Sequence, residues 1–208
     1  MKKNSFRLSF SAFVLLLGLL STSCSKDDDT SVIAPSGTNT EYNNKKYAIK
    51  NGFIHDGGAV DHYLDDEAES KTHYNYSFIL TDGTPTFEGD DVVSMNDGSI
   101  VVSAILLSPG TATFNTGTFE FADYTGDEEL DEEELEAKYR NKHFFPMAFV
   151  ITDSDGDKNW EEEAGELVTG GTFKVSGTAP NYTTEYNLML DGGKTIKGKF
   201  TGKFNVVQ

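Results

Sequence analysis

A second cysteine is missing. Cys24 is the only thiol in 208 residues, so an internal disulfide is excluded. Basic residues are scarce as well: 17 Lys and Arg stand against 34 Asp and Glu, a net charge of −17. Such a chain is repelled by nucleic acid and by anionic membrane surfaces. That excludes nucleic-acid binding and leaves cations as the natural small partners. No apolar run reaches the roughly 20 residues a membrane-spanning helix needs. No G-x-S-x-G nucleophile elbow occurs, and the four histidines, at 55, 62, 73 and 143, show no Ser or Asp partner pattern. Carboxylate pairs arise by chance in so acidic a chain, so they do not by themselves identify a hydrolase. There is no repeat of solenoid length. These absences point away from an enzyme.

What is present begins at the N-terminus. Lys2, Lys3 and Arg7 precede the apolar run "FSAFVLLLGLL" at residues 10–20, and Ser21 and Ser23 are small. Residues 1–23 therefore read as a signal peptide. Cys24 follows at once and reads as a site of lipid attachment, because a free thiol would leave an exposed reactive group without use. Ordinary cleavage after Ser23, leaving a soluble protein with a terminal thiol, is the other reading. Each acyl CH₂ buried in a bilayer is worth about 0.8 kcal/mol, so several chains on one residue make a firm anchor. Loss of residues 1–23 leaves 14 basic and 34 acidic residues, a charge of −20.

"LSTSC" (20–24) resembles the lipobox of bacterial lipoproteins, with Leu20 one place further from the cysteine than is usual. "CSKDDD" (24–29) resembles the Cys-plus-acidic export tag of surface lipoproteins in Bacteroidota. The resemblance implies acylation of Cys24, residence in the outer membrane and display toward the cell exterior. Residues 24–44 are polar, without apolar periodicity, and read as a flexible acidic tether. Residues 45–208 are long enough for one domain with its own core.

The domain reads as all-β. In "YTTEYNLML" (182–190), Tyr182, Tyr186, Leu188 and Leu190 share one face and Thr183, Glu185 and Asn187 the other. Asp191-Gly192-Gly193-Lys194 supplies a tight turn, after which Ile196, Phe200, Phe204 and Val206 alternate with Thr and Lys. Further strands are expected at 47–54, 73–83, 99–107, 117–124, 144–152 and 170–177. The run 99–107 is apolar on both faces and is expected to be central. One helix is expected across 126–142, with Leu130, Leu135 and Tyr139 toward the sheet and the pairs Glu134–Lys138 and Glu136–Arg140 one turn apart. The expectation is an antiparallel β-sandwich of about eight strands with one short acidic helix, or a closed lipocalin-like β-barrel. "NTGTFEF" (115–121), "GGTFKVSG" (170–177) and "GKTIKGKFTGKF" (193–204) make the chain similar to small all-β surface lipoproteins of Bacteroidota. That likeness implies no activity.

Candidate chemistry concentrates in "DSDGDKNWEEE" (153–163). Asp153, Asp155, Asp157, Asn159 and Glu161 fall at alternate positions, and hard oxygen ligands crowded in a turn suit Ca²⁺. The loop is not an EF-hand, since Lys158 and Ala164 stand where Gly and Glu are required. A solvated acidic hairpin is the alternative. His55, Asp56, Asp61, His62, Asp65 and Asp66 lie within 53–69, but their spacing matches no standard metal site and the segment is expected to be a polar loop. Trp160 and Tyr63 are candidates for a glycan-stacking surface, or simply cover loops. The expected function is a non-catalytic, surface-anchored domain that binds or assembles with an extracellular protein complex or glycan. A carrier of an apolar small molecule is the second reading, and a carboxylate-based hydrolase the third.

Overall fold

The computed structural model describes residues 38–88, 91–157, 160 and 163–207. The signal peptide, Cys24 and the acidic run after it lie outside the described residues.

The chain is all-β, as expected, with strands β1 Asn39–Tyr42, β2 Lys45–Ala48, β3 Asn51–Val60, β4 His73–Thr81, β5 Thr84–Glu88, β6 Asp91–Asn96, β7 Ile100–Pro109, β8 Thr118–Phe121, β9 Phe144–Thr152, β10 Glu166–Thr178, β11 Asn181–Leu190 and β12 Thr195–Val207. A 3₁₀ turn at Asp127–Glu129 and helix α1, Glu132–Tyr139, separate β8 from β9. Ten strands form one sheet, and β5 and β6 form a second. Most pairings are antiparallel, but β12 pairs β3, and β8 pairs β9, in parallel.

Pairing in the large sheet returns to its start. It runs β4, β3, β12, β11, β10, β9, β7 and back to β4, with β8 wedged between β9 and the middle of β10. Period-two patterning sends one set of side chains into this ring. Phe78, Leu80, Val102, Leu106, Phe119, Phe173, Leu188, Ile196 and Phe204 are all at or near zero exposure there. Asp191-Gly192-Gly193 makes the β11–β12 turn, with Gly192 at φ 76° and Gly193 at φ 79°. These are left-handed values that glycine adopts without strain.

Both ends of the ring are filled. At one, β1 contributes Thr40 and Tyr42, each buried, although residues 24–44 read as tether. The outward residues Asn39 and Glu41 make this strand look polar in sequence, while its inward residues enter the core. At the other end, Phe114 from the β7–β8 connection lies flat between Tyr76, at 4.5 Å, and Phe119, at 5.5 Å. Val206 is expected inside but is exposed. Pairing of β11 with β12 stops at Asn181–Lys203, and beyond it β12 is paired with β3, where Val206 faces outward.

Strand β7 is central, between β4 and β9, and is buried on both faces. Its outer face is covered in two places. Val101 packs with Ile79 and Met95 under the β5–β6 hairpin. Leu107 packs with Val60, Phe144 and Tyr139 under α1. The helix is shorter than expected. Glu134 closes a capping box with Asp131 instead of pairing with Lys138, whereas Glu136 does pair with Arg140.

Candidate functional site

The β9–β10 connection carries the acidic turn. Asp153 Oδ1 accepts from the Gly156 amide at 2.7 Å, and Gly156 takes φ 82°. Asp155 Oδ1 accepts from the Asp157 amide at 3.1 Å. Glu163, on the returning arm, accepts from the Ser154 amide at 2.8 Å and from its hydroxyl. Carboxylate oxygens of Asp153, Asp155 and Glu163 consequently lie within 4.8 Å of one another. This differs from the alternate set expected along one arm. Asp153 and Asp155 belong to the trio, Asp157 does not, and Asn159 and Glu161 lie outside the described residues. The donors meet across the hairpin because the chain doubles back, and nothing in the run Glu161-Glu162-Glu163 marks which acid will face Asp153. The three carboxylates offer hard oxygens of the kind Ca²⁺ takes, fewer than the roughly six to eight it needs, and without a cation they repel.

The candidates in 53–69 do not converge in this way. Residues 53–60 belong to β3 rather than to a loop. Asp56 accepts from the Gly58 amide and the Tyr74 hydroxyl. Asp61 accepts from the amides of Tyr63 and Asp65, and Asp65 from that of Glu67. Their carboxylates serve local turns. Trp160 packs against the Ile79–Met95–Val101 cluster, whereas Tyr63 is 41% exposed.

One cluster gave no signal in sequence. Asp127 is 5% exposed and accepts from the Tyr139 hydroxyl at 2.6 Å, the Tyr63 hydroxyl at 3.2 Å and Lys138 Nζ. Burial pushes this carboxyl up, but hydrogen bonds from Lys138 and Tyr139 reverse the effect and hold it below its usual value. Burial and the Asp127 charge in turn push Tyr139 up. Tyr124 donates to the His62 carbonyl beside it. With three donors on one carboxylate, the group is spent on joining α1 to the 61–70 segment.

The outer face holds the remaining feature. Phe149 on β9 pairs with Leu167 on β10, Met147 lies two residues along, and Met189 on β11 pairs with Gly170. Met189 lies across Gly170, where a Cβ would meet its Cε at 2.4 Å. Met147, Leu167 and Met189 are 44%, 56% and 51% exposed. They make an apolar stripe across β9, β10 and β11. No protein-family model, curated protein or solved structure matches this chain. Function is therefore argued from the sequence and the geometry of this chain.

Proposed function

We propose that this chain is a surface-anchored, non-catalytic lipoprotein, held in the outer membrane through Cys24 and facing the cell exterior. Its β-domain binds or assembles with an extracellular protein complex or glycan. The observation that carries the binding role is the outer stripe of Met147, Phe149, Leu167 and Met189. Large contiguous apolar patches mark contact surfaces, and here three exposed side chains and the half-buried Phe149 lie on adjacent strands. Placing a photo-crosslinking residue at 167 in intact cells tests this. A discrete adduct from 167, with none from 201 on the polar face of β12, is the expected result. Equal labelling at both positions removes the reading. Protease treatment of the same cells should degrade the domain, and protection until the outer membrane is broken would refute outward display.

The closed circuit of strands favours one second reading, a lipocalin-like carrier of an apolar small molecule. The side chains that fill the ring, Phe78, Phe114, Phe119 and Phe173 among them, weigh against it. Stoichiometric binding of an apolar fluorescent probe, lost when Phe119 is replaced by a charged residue in a folded variant, would favour the carrier.

A further inference from the structure

Three of the four histidines, His62, His73 and His143, have a buried Nε2 with no hydrogen-bond partner among the described residues. They lie in one region. His62 stacks on Tyr139 at 5.0 Å, Tyr139 touches Phe144 at 5.1 Å, and Phe144 meets the edge of His73 at 5.0 Å. His143 sets its ring edge-on to Phe119 at 4.9 Å and lies against Gly117, where a Cβ would come within 2.9 Å. His73 is fully buried, with Nδ1 2.8 Å from the Thr72 hydroxyl.

These rings support the two segments that close this end of the ring of strands. The 61–72 segment carries His62 and ends at His73. The 110–117 segment runs past His143 and holds Phe114 in place. The two are joined directly, because the Gly110 amide donates to the Thr72 carbonyl at 3.0 Å. A neutral imidazole is tolerated here. An imidazolium carries two donors and a charge, and beside these aromatic rings the main-chain groups near His73 and His143 only partly offset the loss of water.

The groups acting on each ring are few. Burial lowers His73 most, the main chain of Lys142 and Tyr139 opposes that, and the rings of His62 and His143 lower it further. Burial also lowers His143, opposed by the main chain of Asn115. The buried carboxylate of this region, Asp127, is already occupied by Lys138, Tyr139 and Tyr63, and Arg140 is paired with Glu136.

We propose that this end of the molecule is an acid-opened clasp: protonation of His73 and His143 releases residues 61–72 and 110–117, and with them Phe114, while β10, β11 and β12 stay paired. A histidine that holds its proton less tightly when enclosed than when released favours the released form as pH falls below about 6.5. The shift is at most about tenfold per pH unit for each histidine. The clasp does not depend on where the protein is displayed or what it binds.

Hydrogen–deuterium exchange at pH 7.5 and 5.5, with labelling times scaled for the intrinsic exchange rate, tests it on the folded protein. Protection in peptides covering 61–72 and 110–117 should fall at least about tenfold at pH 5.5, while peptides within 181–204 keep theirs. The double variant H73Q/H143Q should lose this pH dependence. If that variant does not fold, imidazole and amide NMR titration of the unaltered protein replaces it, and the buried rings should titrate in step with the amides of Gly110 and Asn115. Uniform loss across all peptides, no loss, a loss that persists in the double variant, or rings that titrate without the loop amides would each overturn the clasp.

Discussion

Tyr186 lies across Gly198, where an added Cβ would meet its ring carbon and hydroxyl at 2.2 Å. The Tyr186 hydroxyl is bonded to Thr40, so the ring cannot swing away cheaply. Gly198→Ala should therefore destabilise by about 1–3 kcal/mol, read as a lower urea midpoint at unchanged slope. Such a glycine is invisible in sequence, because the residue that needs the space is on another strand. Phe78 shows the opposite case. Its alternation with Tyr76 and Leu80 places it inside from sequence alone, and it touches Phe114, Phe173, Tyr182 and Phe204. Phe78→Ala should cost about 3–5 kcal/mol. A midpoint within error of the parent would contradict the packed interior.

At the scale of elements, α1 is a short helix with charge on most faces, fastened by a few contacts. Asp131 caps it, and Asp131→Ala should lower stability by about 1 kcal/mol. The acidic β9–β10 connection is tested with Ca²⁺. Millimolar calcium chloride should raise the melting temperature, and Glu163→Gln should abolish the rise while leaving the metal-free protein no less stable. No rise in the parent protein, together with no loss on chelation, would assign the trio to the solvated hairpin. The hairpin itself is legible in its Asp-Gly turn residues. The partner across it is not, since any of three successive glutamates could face Asp153.

For the whole molecule, acid sensitivity has a second window below that of the histidines. Asp127, Glu166 and Glu185 all have carboxyls held below their usual values. Burial pushes Asp127 and Glu166 up but is outweighed by bonds from Lys138 and Tyr139, and from Lys194 and Tyr42. For Glu185 the bond from Lys199 is the main cause. Such groups contribute stability that is present above the unfolded carboxylate range near pH 4 and lost as pH falls through the lower folded values. Global unfolding monitored by circular dichroism should thus set in below about pH 4. Onset near pH 6 with simultaneous loss of β10–β12 would show that these pairs do not govern the global transition.

Sequence by itself determined the strand-rich class, the central place of β7, the tight turn at Asp191–Gly193 and the inward faces of β4, β11 and most of β12. Each follows from period-two patterning, from an unbroken apolar run or from a residue's own backbone preference, and all three are local properties. Only the tertiary structure decided that the pairing closes into a circuit, that Asn39–Tyr42 belongs to the sheet and that β5–β6 and α1 cover the outer face of β7. It likewise decided that Asp127 gathers three donors and that Met147, Leu167 and Met189 share a stripe. These depend on which strands become neighbours. That choice is made by the summed burial of the ring's two ends and interior, and no single segment of the chain carries it.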